Sequence, residues 1–254
     1  MRSRSLARPS LSSPGPRFGL ARVLSKRGVC SRSVASQWVA AGRVTINGRV
    51  ERNPEFPVRE GIDQVELDGR PLAAPQRACL MLNKPRGLLT TTQDEQGRDT
   101  VYRCLNTEEL PWMAPVGRLD KASEGLLLFS NDPAWAARLC SPQEGPDKTY
   151  AVQVRGLCEL NHMQRMRDGV VDGGERLAVK QVDMMRRGEK NSWLRVVLDE
   201  GRNRQIRRIL AALDLPVMRL IRIAIGGLEL GELGKGEWRW LTEDEIAGLL
   251  PAAG

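Results

Sequence analysis

The chain has 254 residues, enough for one large domain or two smaller ones, with 41% hydrophobic and 28% charged side chains. No apolar run reaches the roughly 20 residues that span a membrane. Cys30, Cys79, Cys104, Cys140 and Cys158 form no CxxC pair, which argues against a disulfide framework or a zinc site and points to a reduced, cytoplasmic protein. The net charge of +8 sits at one end. Residues 1–50 hold ten Lys or Arg and no acid, whereas the remainder sets 29 basic residues against 31 acidic ones. Such asymmetry points to a polyanionic partner.

The single histidine, His162, reads as a surface residue and leaves little basis for a metal cluster or a Ser-His-Asp triad. Residues 1–16 are rich in Ser, Pro and Arg and read as a disordered basic tail. They lack the apolar stretch of a signal peptide, and their prolines and weak amphipathicity argue against a transit peptide.

Periodicity begins at Phe18. Leu20, Val23 and Leu24 have helical spacing, closed by Gly28 as a C-cap. Ser31 caps a second helix whose apolar face is Val34, Ala35, Trp38 and Val39. The run VTINGRV, residues 44–50, then predicts two strands around the hairpin turn Asn47-Gly48. A further strand, 64–67, ends at Asp68-Gly69. The segment RVLSKRGVCSRSVASQWVAAGRVTINGRV resembles an S4-type RNA-binding domain. That resemblance implies RNA contacts from Arg22, Lys26, Arg27, Arg32 and Arg43. The domain is expected over 17–68, followed by a Pro/Ala linker at 69–77 and a second domain over 78–254.

The second domain opens with a strand at 78–82 and the turn-like KPRGLL, residues 84–89, whose Lys84 and Arg86 read as scaffold. Asn131-Asp132-Pro133 caps a helix ending near Cys140. Strands are expected at 149–154, 193–198, 220–225 and 238–241. A basic helix, RNRQIRRILAALDL, is expected over 202–215, and Thr242 with Glu245 forms a capping box for a terminal helix over 243–250. Strands and helices are intermixed, so the fold class is α+β. It comprises a small helix-helix-hairpin domain and a larger mixed, mainly antiparallel-sheet domain.

Three features could carry chemistry: Asp120 in GRLDKASEGLLLFSND, Tyr150 in KTY, and the arginines of GRNRQIRRI, residues 201–209. Taken singly, each has a structural explanation: a turn or ion-pair carboxylate, a core aromatic, a solvated basic face. Together and in this order they are similar to the motifs of pseudouridine synthases of the RsuA branch, in which an S4 module is the usual companion. The resemblance spans roughly residues 78–230.

It implies an enzyme that isomerises a uridine of ribosomal RNA, with large-subunit RNA favoured, acting alone as a monomer on rRNA or a ribosomal precursor particle. Asp120 is then the catalytic carboxylate, and Arg207, from the QIR motif, its orienting partner. A bidentate Arg207–Asp120 pair would keep the carboxylate ionised. Tyr150 would stack on the target base. Arg118, Arg202, Arg204 and Arg208 would meet RNA or shape the pocket; some related synthases carry His where this chain has Arg204. No metal, other cofactor or membrane partner is implied. The rival expectation is a non-catalytic S4-type RNA-binding or ribosome-assembly factor, which would have no need of the Asp120, Tyr150 and Arg207 set.

Overall fold

A computed structural model describes residues 16–72, 77–92, 94, 96–106 and 109–250. The chain divides into two units, Met1–Pro75 and Gln76–Gly254.

The first unit runs β1 (Arg17–Gly19), α1 (Leu20–Lys26), α2 (Arg32–Ala40), β2 (Val44–Ile46), β3 (Arg49–Glu51), β4 (Pro57–Arg59), β5 (Val65–Leu67) and β6 (Arg70–Pro71). Leu20, Val23 and Leu24 are fully buried against Ala35, Val39 and Val44, so the helical spacing read from the sequence is the face that makes the core. Gly28 ends α1 in the left-handed conformation at φ 71°, and the Ser31 hydroxyl accepts the Val34 N–H at 3.2 Å. Asn47 and Gly48, at φ 51° and 79°, turn β2 into β3.

Asp68 and Gly69, at φ 50° and 75°, make a second such turn. The chain therefore continues into β6, which pairs with β5, and Leu72 N–H donates to the Val65 carbonyl. The linker expected over 69–77 thus begins later. Residues 69–72 close the small sheet, because the Asp-Gly turn returns the backbone to a partner strand, and 73–76 lie outside the described residues. Residues 1–15 of the expected tail also lie outside them.

The second unit continues with β7 (Cys79–Lys84), a 3-10 turn (Val101–Cys104), β8 (Ala114–Val116), β9 (Glu124–Ser130), α3 (Pro133–Cys140), β10 (Lys148–Arg155), α4 (Leu160–Asp168), β11 (Val170–Asp172) and β12 (Glu175–Leu177). Then follow β13 (Gln181–Arg187), β14 (Asn191–Leu198), α5 (Gln205–Ala211), β15 (Val217–Ile225), β16 (Leu228–Glu229), β17 (Trp238–Trp240) and α6 (Glu243–Leu249). Among the described residues, nine strands form one sheet in the order β13-β14-β10-β15-β9-β7-β17, with β16 on β15 and β8 on β9. Every ladder in it is antiparallel except β9–β15, where Glu124 and Gly125 run parallel to Ile221 and Arg222.

That junction needs a glycine. Gly125 sits at φ 100°, and a Cβ there would lie 2.3 Å from the Arg222 carbonyl oxygen. Beyond it, Leu126 and Leu128 pack with Trp135 and Leu139 of α3, whereas Leu127 and Phe129 pack on the opposite face with Leu80, Leu82 and Val101. Both faces are covered, which is why β9 reads as a continuous apolar run and not as an alternation. Helices α4 and α5 cover the β10–β14 part of the sheet through Met163, Met166, Ile206 and Leu210.

The basic helix is shorter than expected. It starts at Gln205, and Arg204 sits before it in the left-handed conformation at φ 50°. The Gln205 side chain folds back, accepting the Arg202 N–H at 3.1 Å and donating to the Ala178 carbonyl and Glu200. This stabilises a turn over 201–204 in place of a helical one. The helix α4 has a mostly polar sequence, LNHMQRMRD, and buries Met163 and Met166 at helical spacing. His162 accepts the Glu159 N–H through Nδ1 and completes a capping box at its start. Among the described residues no helix is long and apolar enough to cross a membrane.

Candidate active site

The loop from Gly117 to Ser123 joins β8 to β9, and the segment after β7 holds it in place. Gly117 turns the chain at φ 71°, where a Cβ would press on Cys140 Sγ at 3.3 Å. Thr90 Oγ1 donates to the Leu119 carbonyl at 2.7 Å, and Gly87 N–H donates to the Lys121 carbonyl at 2.7 Å. Lys84 is completely buried, and its ammonium donates to the Pro85 and Ser123 carbonyls at 3.0 and 2.9 Å. Burial pulls its pKa down to about 8, while the nearby Cys104, Glu124 and Asp120 oppose that shift. KPRGLL, read as scaffold, is the cradle of the loop that carries Asp120. Its composition gave a turn; it did not show what the turn would hold.

Asp120 is the polar centre of this loop. Its side chain is 35% exposed, and among the described residues its carboxylate oxygens accept no hydrogen bond. Two guanidiniums face it. Arg207 Nε and Arg204 Nη1 each lie 3.9 Å from Oδ2. The expected bidentate Arg207–Asp120 pair is therefore absent. Arg207 reaches the site from α5, and its Nη2 donates to the Ala122 carbonyl at 3.2 Å and not to the carboxylate. Its Nε is buried without a hydrogen-bond partner. Burial, followed by the like charge of Arg204, pushes the Arg207 pKa below the usual arginine range, against the pull of Asp120. Arg204, expected to contact RNA or shape the pocket, stands as close to Asp120 as Arg207 does. The left-handed turn at its own backbone places it there.

Tyr150 is on β10, half-buried between two apolar clusters, and it lines the same cleft as Asp120 and Arg204. The cleft has a volume of about 820 Å³, enough for a nucleotide. Arg118 and Arg202 line it as well. Asp120, Tyr150 and the arginines before α5 thus meet from three separate strands and turns. A carboxylate with free lone pairs, held between cations beside an aromatic ring, can attack or deprotonate an electron-poor centre on a stacked ligand.

The other basic residues differ in what they face. Arg208, expected to contact RNA, is bound to Asp172 at 2.5 Å and Glu175 at 2.6 Å in an ion-pair cluster with the β11–β12 hairpin. Those partners are more than 30 positions away in the chain, beyond any local pattern. Arg202 donates to Glu200 at 3.0 Å. In the first unit, Lys26 pairs with Glu60 at 2.8 Å, Arg32 with Glu55 at 2.9 Å, and Arg43 with Asp68 while covering the Trp38 ring. Arg27 donates to the Leu72 carbonyl at 3.3 Å. Arg22 is exposed, with its guanidinium 5.0 Å from the Phe18 ring centre and no ion pair among the described residues.

Comparison with known proteins identifies the family. The family model described as RNA pseudouridylate synthase matches residues 78–212, and the S4 domain model matches residues 18–62. The chain is 35% identical over 235 residues to an uncharacterized RNA pseudouridine synthase of Aquifex aeolicus, covering 92% of this chain and 94% of that one. It is 32% identical over 233 residues to ribosomal large subunit pseudouridine synthase B of Bacillus subtilis, covering 91% and 94%. A crystal structure of a pseudouridylate synthase superposes with a TM-score of 0.63 at 28% identity, over 92% of this chain and 100% of that one. The chain therefore belongs to the RNA pseudouridine synthase family, in the RsuA branch that joins an S4 domain to the synthase domain.

Proposed function

We propose that this enzyme converts a specific uridine of large-subunit ribosomal RNA to pseudouridine, with Asp120 as the catalytic carboxylate. The observation that carries the reading is the state of Asp120: partly exposed in the cleft, its carboxylate without a hydrogen bond among the described residues, and faced by Arg204 and Arg207 at 3.9 Å. The name of the Bacillus subtilis relative favours the large subunit. The two arginines stand beside the carboxylate, yet leave its lone pairs available to a sugar carbon or proton.

The target uridine leaves its stack to enter the cleft, where Tyr150 supplies a flat face for the base. Arg118 and Arg204 meet the adjacent backbone phosphates. The S4 unit, through Arg22 above all, adds salt-dependent affinity for rRNA or a precursor particle. The reaction is an isomerisation with no net redox change, and side chains suffice for it. On this reading the enzyme works in the cytoplasm as a monomer without a cofactor.

The test is to incubate wild type and Asp120→Asn with unmodified large-subunit rRNA and to map pseudouridine by carbodiimide chemistry. One new site with wild type and none with the variant is the expected result. No new pseudouridine on any cellular RNA would favour the binding-factor alternative. An active Asp120→Asn would remove Asp120 from the mechanism.

A further inference from the structure

Besides Asp120 and Arg204, the same cleft is lined by two cations from the central strands, Lys148 and Arg222. Lys148 opens β10 two residues before Tyr150, and Arg222 stands opposite Tyr150 on β15. Arg222 is only 5% exposed. Its Nε donates to the Leu126 carbonyl at 2.7 Å, and its Nη2 is buried without a hydrogen-bond partner. Burial, and then the charge of Arg222, lowers the pKa of Lys148, so the two cations lie within electrostatic reach of each other.

Among the described residues neither forms an ion pair. Asp147 is held by Lys180 at 2.7 Å, and Cys140, Asp147 and Asp199 act on Lys148 only through space. Two like charges desolvated together cost free energy unless negative charge or carbonyl dipoles meet them. The apolar part of the cleft lining includes Leu128, Leu139 and Ile225. Such walls suit a planar base with polar edges better than a hydrated phosphodiester.

We propose that Lys148 and Arg222 form a subsite for the carbonyl edge of the target uracil and hold the negative charge on the base once it is detached. This rests on the pseudouridine reading above. When the C1′–N1 bond breaks, its electron pair stays with the uracil ring, spread over N1, O2 and O4, and the deficit at C1′ is met through Asp120. The ring turns and C5 bonds to C1′. The C5 proton then leaves and N1 gains a proton, so atoms and electrons balance. While neither bond to C1′ exists, an ionic clamp retains the base and still lets it turn. Cations held in the cleft wall stabilise that intermediate without reorganising.

The test uses the full chain, with 5-nitrouracil (an anion at neutral pH) and neutral uracil as probes, and single-turnover pseudouridine formation on an unmodified large-subunit rRNA transcript. Wild type is expected to bind the nitrouracil anion about tenfold more tightly than uracil. Lys148→Met should abolish that preference and slow the single turnover about 100-fold, with RNA affinity changed less than about threefold. Lys148→Arg should recover most of the rate.

Arg222→Lys, checked for folding by thermal melting, gives a second variant and should also slow turnover. Unchanged turnover in both Lys148→Met and Arg222→Lys would overturn the proposal. So would displacement of nitrouracil by equimolar inorganic phosphate together with weaker RNA binding by Lys148→Met, since the cations would then serve the backbone. A wild type that keeps the anion preference but makes no pseudouridine would instead refute the functional reading.

Discussion

Asp120 and Glu124 are four residues apart, one in a cleft loop and the other at the start of the strand behind it, yet their surroundings are opposite. Glu124 is 4% exposed and hydrogen-bonded by Arg219 at 3.0 and 3.1 Å, with Lys235 at 2.8 Å. Burial works against its charge, but those partners outweigh burial and hold its pKa below the usual glutamate value. Asp120 is 35% exposed, and its two arginines stop at 3.9 Å. A carboxylate whose lone pairs are taken up by donors stabilises the fold. One that is surrounded by charge but left unbonded is available for chemistry. On the proposed reading, the contrast separates a structural acid from a catalytic one within a single motif.

The strongest test of this contrast is Asp120→Asn. It should lower pseudouridine formation by at least about 1,000-fold in single-turnover assays, while the melting free energy changes by less than about 1 kcal/mol. A large stability loss would make Asp120 a structural residue like its neighbour.

Glu124→Gln should do the reverse, costing about 1–3 kcal/mol in denaturant unfolding. The usual penalty for breaking a buried pair is reduced here because Arg219 and Lys235 can rehydrate. The Glu124 pKa is lowered on folding, so its contribution is present above the unfolded value of about 4.3 and is lost as pH falls below it. The acid limb of the stability curve should therefore be flatter in Glu124→Gln.

Lys84, beneath both carboxylates, sharpens the contrast from the cationic side. Its pKa is lowered to about 8 in the fold, so between there and about 10.4 the unfolded chain binds more protons and stability rises with pH. Relative to Lys84→Met, wild type should gain about 1–2 kcal/mol between pH 7.5 and 9.5, read from chemical denaturation at each pH.

The smallest effect is expected in the first unit. Arg22→Ala should reduce the slope of RNA affinity against salt by about 1. Arg43→Ala should change it less, because Arg43 is already bound to Asp68. Equal slopes would show that internal pairing does not decide which arginines face RNA.

Short-range features were legible along the chain. The Ser31 and Asp132 caps, the Thr242–Glu245 capping box and the Asn47-Gly48 hairpin all form as expected. Each depends on groups within a few residues of one another, so spacing alone specifies it. The motifs around Asp120, Tyr150 and Arg207 likewise pointed to the family, because their order is a linear property. The fate of Arg208 was not legible: residue type marks it as a cation, and only the fold brings Asp172 and Glu175 to it. Nor was the truncation of α5, which depends on Gln205 bonding to Ala178, 27 residues earlier.

The sequence by itself determined which residues could do chemistry, where the chain turns, and that its excess positive charge lies in the first 50 residues. Tertiary structure alone decided which charges remain available. It turned Glu55, Glu60 and Asp68 back onto basic residues of the two helices of the first unit and of the turn after them. It sealed Glu124 with partners about 95 and 111 residues away and left Asp120 open between Arg204 and Arg207. The reason is that electrostatic and hydrogen-bond partnership depends on distance in space. The chain brings these groups within 4 Å of one another only after β9, β15 and α5 have packed.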